Sequence, residues 1–447
     1  MLNSSVAQTQ VSDALGFIYR KAEPRMVPVL FLLWLFAWVD RGNVAFAKFA
    51  MMRHLGMNES DYGLGAGLFF AGYVLFAIPA IGLQERYGIG KVLGILAVCW
   101  GCASTAMGLV SNTYQFFALR FLLGAFEAGF YPGVVLYFSK WFSEERRTRN
   151  FSVVHSAAIC APVLIGLSGA ELLNRFDGLM SIAGWRWMFM MQALPVVLLG
   201  LVAIYLLPNT PDNAKWLTPK EKQQISDALN GEDVVLGKSH NTVAYTELLR
   251  DDRVWILSFI YLTVMSANAA LAFFTPTLLK EIGYLNIRSI GYLFSCICLV
   301  SAVLSVGYCW LVAPSARAGK YGGIAALSSA VGLVITVLLP LQALWGLALS
   351  LVLSFAGTGA SVMLFWQLPK KYLGIGLSTR AVPVISSLGN VGAFFTPWMI
   401  GISRSNTGSF FMALIVIASV QLAGALMMLC WRARKHQQDR RVESRAI

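Results

Sequence analysis

Asp40 and Arg41 stand side by side inside an apolar run, and Arg120 and Glu127 stand seven apart inside another, on roughly one face of a helix. A charge at membrane depth costs ~2.5–3.5 kcal/mol on insertion scales, so charges retained there are functional candidates. Low dielectric disfavours an ionised carboxylate, which makes Asp40 and Glu127 candidate proton carriers. Arg41 keeps its charge and presents a planar fork suited to a carboxylate. An anion arriving at Arg41 would loosen its pairing with either acid and so couple anion binding to protonation. The bland alternative is that these charges only pair and lock helices together. Arg120, near the end of its run, also has the option of snorkelling to the interface.

The neutral polar groups divide unevenly. His155 is the one histidine inside an apolar run, a proton relay or hydrogen-bond donor if not simply a helix–helix contact. Apolar runs of the second half hold no charge, only groups such as Asn268, Ser386, Ser387 and Asn390, with Gln367 just past one of them. Tyr73, Tyr131, Tyr137 and Trp366 are aromatic candidates that serve equally as packing or interface anchors. The expected binding set is Arg41, Asn43, Tyr73, Arg120, His155, Asn268, Trp366, Gln367, Ser386 and Asn390. The first half would supply proton chemistry and anion attraction, the second hydrogen bonds and an aromatic wall. No residues with catalytic or metal-ligand spacing are present, and no cofactor is expected beyond the proton as coupling ion.

These residues are carried on long apolar segments. Of 447 residues, 57% are hydrophobic and 13% charged. Soluble domains carry about 25% charge, so much of this surface must face lipid. Spans are expected near 27–47, 62–83, 92–111, 114–138, 150–170, 187–207, 254–278, 289–312, 321–341, 343–366, 381–402 and 409–431. Backbone groups in lipid must pair within their own segment, so these are helices. The fold class expected is an all-α membrane protein of twelve transmembrane helices in two six-helix bundles. Its parts are a cytoplasmic segment 1–26, bundles 27–207 and 253–431, a cytoplasmic linker 208–252 and a basic cytoplasmic tail 432–447. Of the 35 Lys and Arg, Lys48, Arg53, Arg175, Arg186, Lys280, Arg288 and Arg404 fall in the odd loops, and Arg41 and Arg120 inside spans. All others fall in the even loops and the two ends. That bias puts both termini in the cytoplasm. The net charge of +13 comes from those loops and forms no aromatic-interleaved stripe, so nucleic acid is not an expected partner. The seven cysteines, Cys99 and Cys102 included, fall in apolar runs and suggest packing. In the linker, Thr218-Pro219-Lys220-Glu221 reads as a capping box that starts a short helix, with Asn230-Gly231 as its stop.

Motifs in order along the chain resemble the major facilitator superfamily and, within it, the anion:cation symporter family. They are Val39-Asp40-Arg41-Gly42-Asn43, Tyr62-Gly63 with Tyr73, Glu85-Arg86-Tyr87-Gly88 with Lys91, Arg120 through Gly124 with Glu127 through Gly133, Gly184-Trp185-Arg186, Phe365-Trp366 with Leu368-Pro369, and Gly389-Asn390 with Pro397. The resemblance implies alternating access by two bundles around a midplane site. It implies proton coupling at Asp40 and Glu127, a substrate site at Arg41, Tyr73 and Trp366, and a gating loop at Glu85 and Arg86. It further implies a monomer in the bacterial inner membrane that takes up a small organic carboxylate with protons, or exchanges or exports such an anion. Trp38, Ser386 and Ala158 stand where sugar-acid members resemble one another in carrying polar groups, which points to a smaller or more aromatic carboxylate.

Overall fold

The computed structural model describes residues 2–235, 248–281, 286–315, 317–340 and 343–430, leaving the side chains of 2–14, 230–235, 314 and 374–380 undescribed. The basic tail 432–447 and part of the linker, 236–247, lie outside the described residues. Among those described there is no strand. The first bundle holds α1 (Leu2–Leu55), α2 (Glu59–Tyr87), α3 (Ile89–Met107), α4 (Thr113–Glu127), α5 (Phe130–Ser139), α6 (Glu144–Arg175) and α7 (Gly184–Leu206). Linker helix α8 spans Pro219–Val235. The second bundle holds α9 (Asp252–Glu281), α10 (Ile287–Val312), α11 (Ala318–Leu338), α12 (Leu344–Phe365), α13 (Leu368–Thr407) and α14 (Phe411–Cys430). Length and composition qualify 11 segments to cross a membrane, α4 and α5 counting as one. The helix α13, packed along α2 and α9, supplies the twelfth.

Asparagines start several of these helices at the odd-loop end. Asn58 accepts from the Asp61 amide at 2.8 Å and its own amide donates to Asp61, a full capping box. Asn112 and Asn286 cap α4 and α10 through the amides of Gln115 and Ser289. Three sequence expectations need correction. The first helix does not stop near 47 but runs on to Leu55, so Lys48 and Arg53 ride on a helix and not a loop. The fourth span breaks between Glu127 and Phe130, because Pro132 has no N–H for the Ala128 carbonyl. The linker helix passes through Asn230-Gly231 to Val235, a gain of more than a turn over the expected stop.

The Thr218 box forms as expected, with the Thr218 amide donating to Glu221 at 2.9 Å. The box also docks the linker, since Lys21 of α1 donates to Glu221 at 2.5 Å and Trp216 stacks on Trp141. The Lys21 ammonium, and then the Thr218 amide, hold the Glu221 carboxyl below its ordinary range. That contact is therefore complete at neutral pH and weakens as acid titrates Glu221.

The two bundles meet through α2 with α13, α6 with α10, and α1 with α9. A methyl group at Gly63 or Gly67 of α2 would overlap the carbonyls of Pro397 and Phe394 on α13. Only glycine allows those backbones to approach so closely. At the odd-loop end the halves are tied by charge. Lys48 of α1 is fully buried and pairs with Glu59 of α2 at 2.7 Å. Glu59 also pairs with Arg404 of α13 at 3.2 Å, and Arg404 pairs in turn with Glu281 of α9. At the same end Glu171 of α6 accepts from Tyr292 of α10 at 2.7 Å. At the even-loop end the cross-half pair Lys370–Glu144, at 3.3 Å, is largely exposed. Its contribution is correspondingly small.

Removing one member of a buried ion pair costs ~3–5 kcal/mol because its partner stays desolvated. Lys48→Met is expected to destabilise the protein toward the lower end of that range, since Glu59 is 18% exposed. Adding Glu59→Gln should recover part of the loss. Thermal unfolding of the three proteins in one detergent checks this, and an unchanged midpoint in Lys48→Met contradicts it.

Candidate functional site

A cavity of about 230 Å³ lies between the halves, lined by α1, α2, α5 and α6 on one side and α9, α10, α12 and α13 on the other. Small-molecule pockets usually run ~300–1,000 Å³, so this cavity suits one small molecule. Arg41 supplies its charge. The guanidinium Nε donates to Glu127 Oε1, and a second nitrogen of the same fork pairs with that oxygen. The Arg41 side chain is 12% exposed and that of Glu127 is 0%, so Arg41 reaches the cavity and Glu127 sits behind it. Ring faces surround the cation, with centroids at 4.8 Å (Trp38), 5.2 Å (Tyr73), 5.3 Å (Phe69) and 5.6 Å (Trp34) from the guanidinium carbon. Each such contact contributes about 0.5–2 kcal/mol. The cation thus has support other than Glu127.

Asp40 is buried behind the same wall. Ser104 donates to its Oδ1 at 2.8 Å. Asp40 Oδ2 and Glu127 Oε2 have no hydrogen-bond partner among the described residues, and each is a place where a proton can sit. Arg120 does not snorkel. It is fully buried, donating to the Gly65 and Ala66 carbonyls of α2 at 3.3 and 3.2 Å, over the ring of Phe69. Formally the two acids and two arginines balance.

The structure brings Arg41, Tyr73, His155, Asn268, Trp366, Ser386 and Asn390 to the cavity wall. Arg120, Asn43 and Gln367 are not on it. Asn43 is fully buried, and Gln367 is exposed at the start of α13. Glu85 and Arg86 lie exposed at the end of α2. Their neighbour Gln84, which the sequence reading passed over, is fully buried and donates to the Gly129 carbonyl at the α4–α5 break, at 2.6 Å.

Tyr261 was also passed over. It lines the cavity, stacks on Phe365 at 5.0 Å and meets Trp366 at 4.8 Å. Gly389 leaves room for its ring, which a methyl group there would overlap. On the facing wall Trp34 lies against Tyr131 at 5.5 Å and His155 at 6.3 Å. The Trp34 and Trp38 indole nitrogens and His155 Nδ1 are unpartnered among the described residues. Two of the three described lining serines of the second half already donate to backbone. Ser301 donates to the Ile297 carbonyl at 2.6 Å and Ser305 to that of Ser301 at 2.8 Å. Asn390 spends its amide nitrogen on the Ser386 carbonyl at 2.8 Å. No group of His, Cys, Asp and Glu among the described residues is placed to hold a metal.

The pattern of the Major Facilitator Superfamily matches residues 30–397. A "Putative tartrate transporter" of Agrobacterium vitis is 33% identical over 426 residues, which cover 94% of this chain and 95% of that protein. The "Inner membrane transport protein RhmT" of Escherichia coli strain K12 is 29% identical over 427 residues, 94% of this chain and 96% of that one. Among solved structures, a D-xylose-proton symporter superposes with a TM-score of 0.71 at 16% identity, over 92% of this chain and 97% of its own. The last likeness concerns the fold alone.

Arg120 holds backbone while Arg41 faces the cavity, and this separates their expected phenotypes. Arg120→Leu loses charge-assisted bonds and should lower stability by about 1–3 kcal/mol, while an organic acid that raises the wild-type unfolding midpoint still does so. Arg41→Ala should lose that ligand-induced rise. Thermal unfolding with and without ligand checks both, and loss of the rise in Arg120→Leu with retention in Arg41→Ala would reverse the assignment.

Proposed function

Because this chain belongs to the Major Facilitator Superfamily, and is therefore a multi-pass membrane transporter of small molecules and not an enzyme, we propose that it couples uptake of an organic carboxylate to protons. One observation carries this reading: the cation at the cavity wall is held by an acid that is fully buried and does not itself line the cavity. A carboxylate that docks on Arg41 competes with Glu127 for the same fork. Once Arg41 turns to the substrate, Glu127 is a buried charge without its partner, and protonation relieves it. Anion and proton then enter together, and neither is favoured alone.

Coupling of this kind answers an energetic need. An inside-negative potential opposes anion entry by ~2.3 kcal/mol per elementary charge per 100 mV, so accumulation requires positive charge to move with the substrate. Asp40, bonded to Ser104 and behind the same wall, is a second proton site. We place the protein in a bacterial inner membrane with the even loops and both termini in the cytoplasm. The basic bias of those loops supports this orientation, and the similarity to an inner-membrane protein supports the choice of membrane. The ion-pair ties at the odd-loop end would then close the outer face, leaving the site in an inward-directed state.

In proteoliposomes, uptake should rise with an imposed inward proton gradient. Glu127→Gln should abolish proton-driven accumulation while counterflow of substrate survives, and Arg41→Ala should lose both. Uptake indifferent to the gradient, and equal in the wild type and Glu127→Gln, would replace symport with exchange or facilitated diffusion.

A further inference from the structure

We infer that the cavity selects a planar aromatic monocarboxylate, one carboxylate on a single ring, over polyhydroxylated or doubly charged acids. This rests on the proposed anion site at Arg41 and narrows it. Charge gives the first argument. Among the described lining residues Arg41 is the only Lys, Arg, Asp or Glu, so one carboxylate finds a permanent cation and a second meets only uncharged groups and His155. A carboxylate desolvated without a partner is strongly disfavoured.

Shape gives the second. Both halves contribute ring systems to the lining, Trp34 and Tyr131 from the first half, Tyr261 and Trp366 from the second. Each pair is already in aromatic contact, at 5.5 and 4.8 Å. A flat ring in this cavity has aromatic partners from both halves, contacts that aromatic groups favour beyond area burial alone. A saturated ring of equal charge fills similar space without that match.

Hydrogen bonding gives the third. A hydroxylated chain needs a partner for each hydroxyl, and an unpaired buried one is penalised. Ser301 and Ser305 already donate to backbone carbonyls, and Asn390 has spent one of its two amide hydrogens on the Ser386 carbonyl. Among the described residues, the unpartnered donors on the first-half wall are the ring N–H groups of Trp34 and Trp38, which suit one carboxylate better than a chain of hydroxyls. The cavity of about 230 Å³ also favours a single ring over a larger scaffold. The preference is thus opposite to that named for the Agrobacterium vitis relative.

Isothermal titration of the purified full-length protein in detergent, with benzoate, cyclohexanecarboxylate, phthalate and tartrate, tests this. Benzoate should bind saturably, cyclohexanecarboxylate at least about tenfold more weakly, and phthalate and tartrate more weakly still. Trp366→Leu should shrink the gap between benzoate and cyclohexanecarboxylate, and Trp366→Phe should keep it. The wild-type panel decides the matter even if a variant fails to fold. Tartrate, phthalate or cyclohexanecarboxylate binding as tightly as benzoate, with binding lost in Arg41→Ala, overturns the aromatic preference and leaves the anion site standing. Absence of binding by all four acids, or binding that survives Arg41→Ala, overturns both.

Discussion

The Arg41–Glu127 pair sits where neither partner can be left alone. Both side chains have been taken almost wholly out of water, and the desolvation this entails is offset only while each charge has a counter-charge or an equivalent. The rest of the first bundle follows from that constraint. Rings of Trp34, Trp38, Phe69 and Tyr73 surround the guanidinium, Ser104 holds the neighbouring acid, and Arg120 braces the backbone of α2 opposite. In the proposed coupling these supports would let Arg41 change partners without becoming an unsolvated charge. A pair that is stable but replaceable is what coupling an anion to a proton requires.

The second bundle meets this centre with neutral groups, and its geometry depends on missing side chains. Gly389 admits the Tyr261 ring, while on the first-bundle side of the interface Gly63 and Gly67 let α2 lie directly on α13. The odd-loop end adds ion pairs to those close contacts, with Glu59 crossing the halves to Arg404 and buried Lys48 held by Glu59 and, across the halves, by the Thr277 hydroxyl. Such an end can part only if several charges exchange protein partners for water together. In the proposed alternating access this end would be the two-state element.

Much of this was legible in the residues. Charges inside apolar runs are so costly that Asp40, Arg41, Arg120 and Glu127 stood out at once, and the twelve-span layout followed from hydropathy and loop charge. Tyr73, His155, Asn268, Trp366, Ser386 and Asn390 were singled out and do reach the cavity. What was not legible depends on three-dimensional neighbours. Tyr261 looks like any aromatic in a span until Trp366 and Gly389 are beside it. Lys48 lies just past a window of about twenty apolar residues, so it read as a loop cation; the helix runs further than the hydropathy. Asn230-Gly231 is a reasonable helix stop on local grounds, yet the helix continues through it. Pro132 marked a kink, but the break falls at the carbonyl it leaves unpaired, one turn earlier.

The most direct test is the proton count on binding. Titrating the purified protein with a bound-state-saturating aromatic monocarboxylate, in buffers of different ionisation enthalpy, reads how many protons are taken up with each anion. The account predicts net proton uptake in the wild type and its reduction or loss in Glu127→Gln. Anion binding with no proton uptake near neutral pH, the same in both proteins, would contradict it.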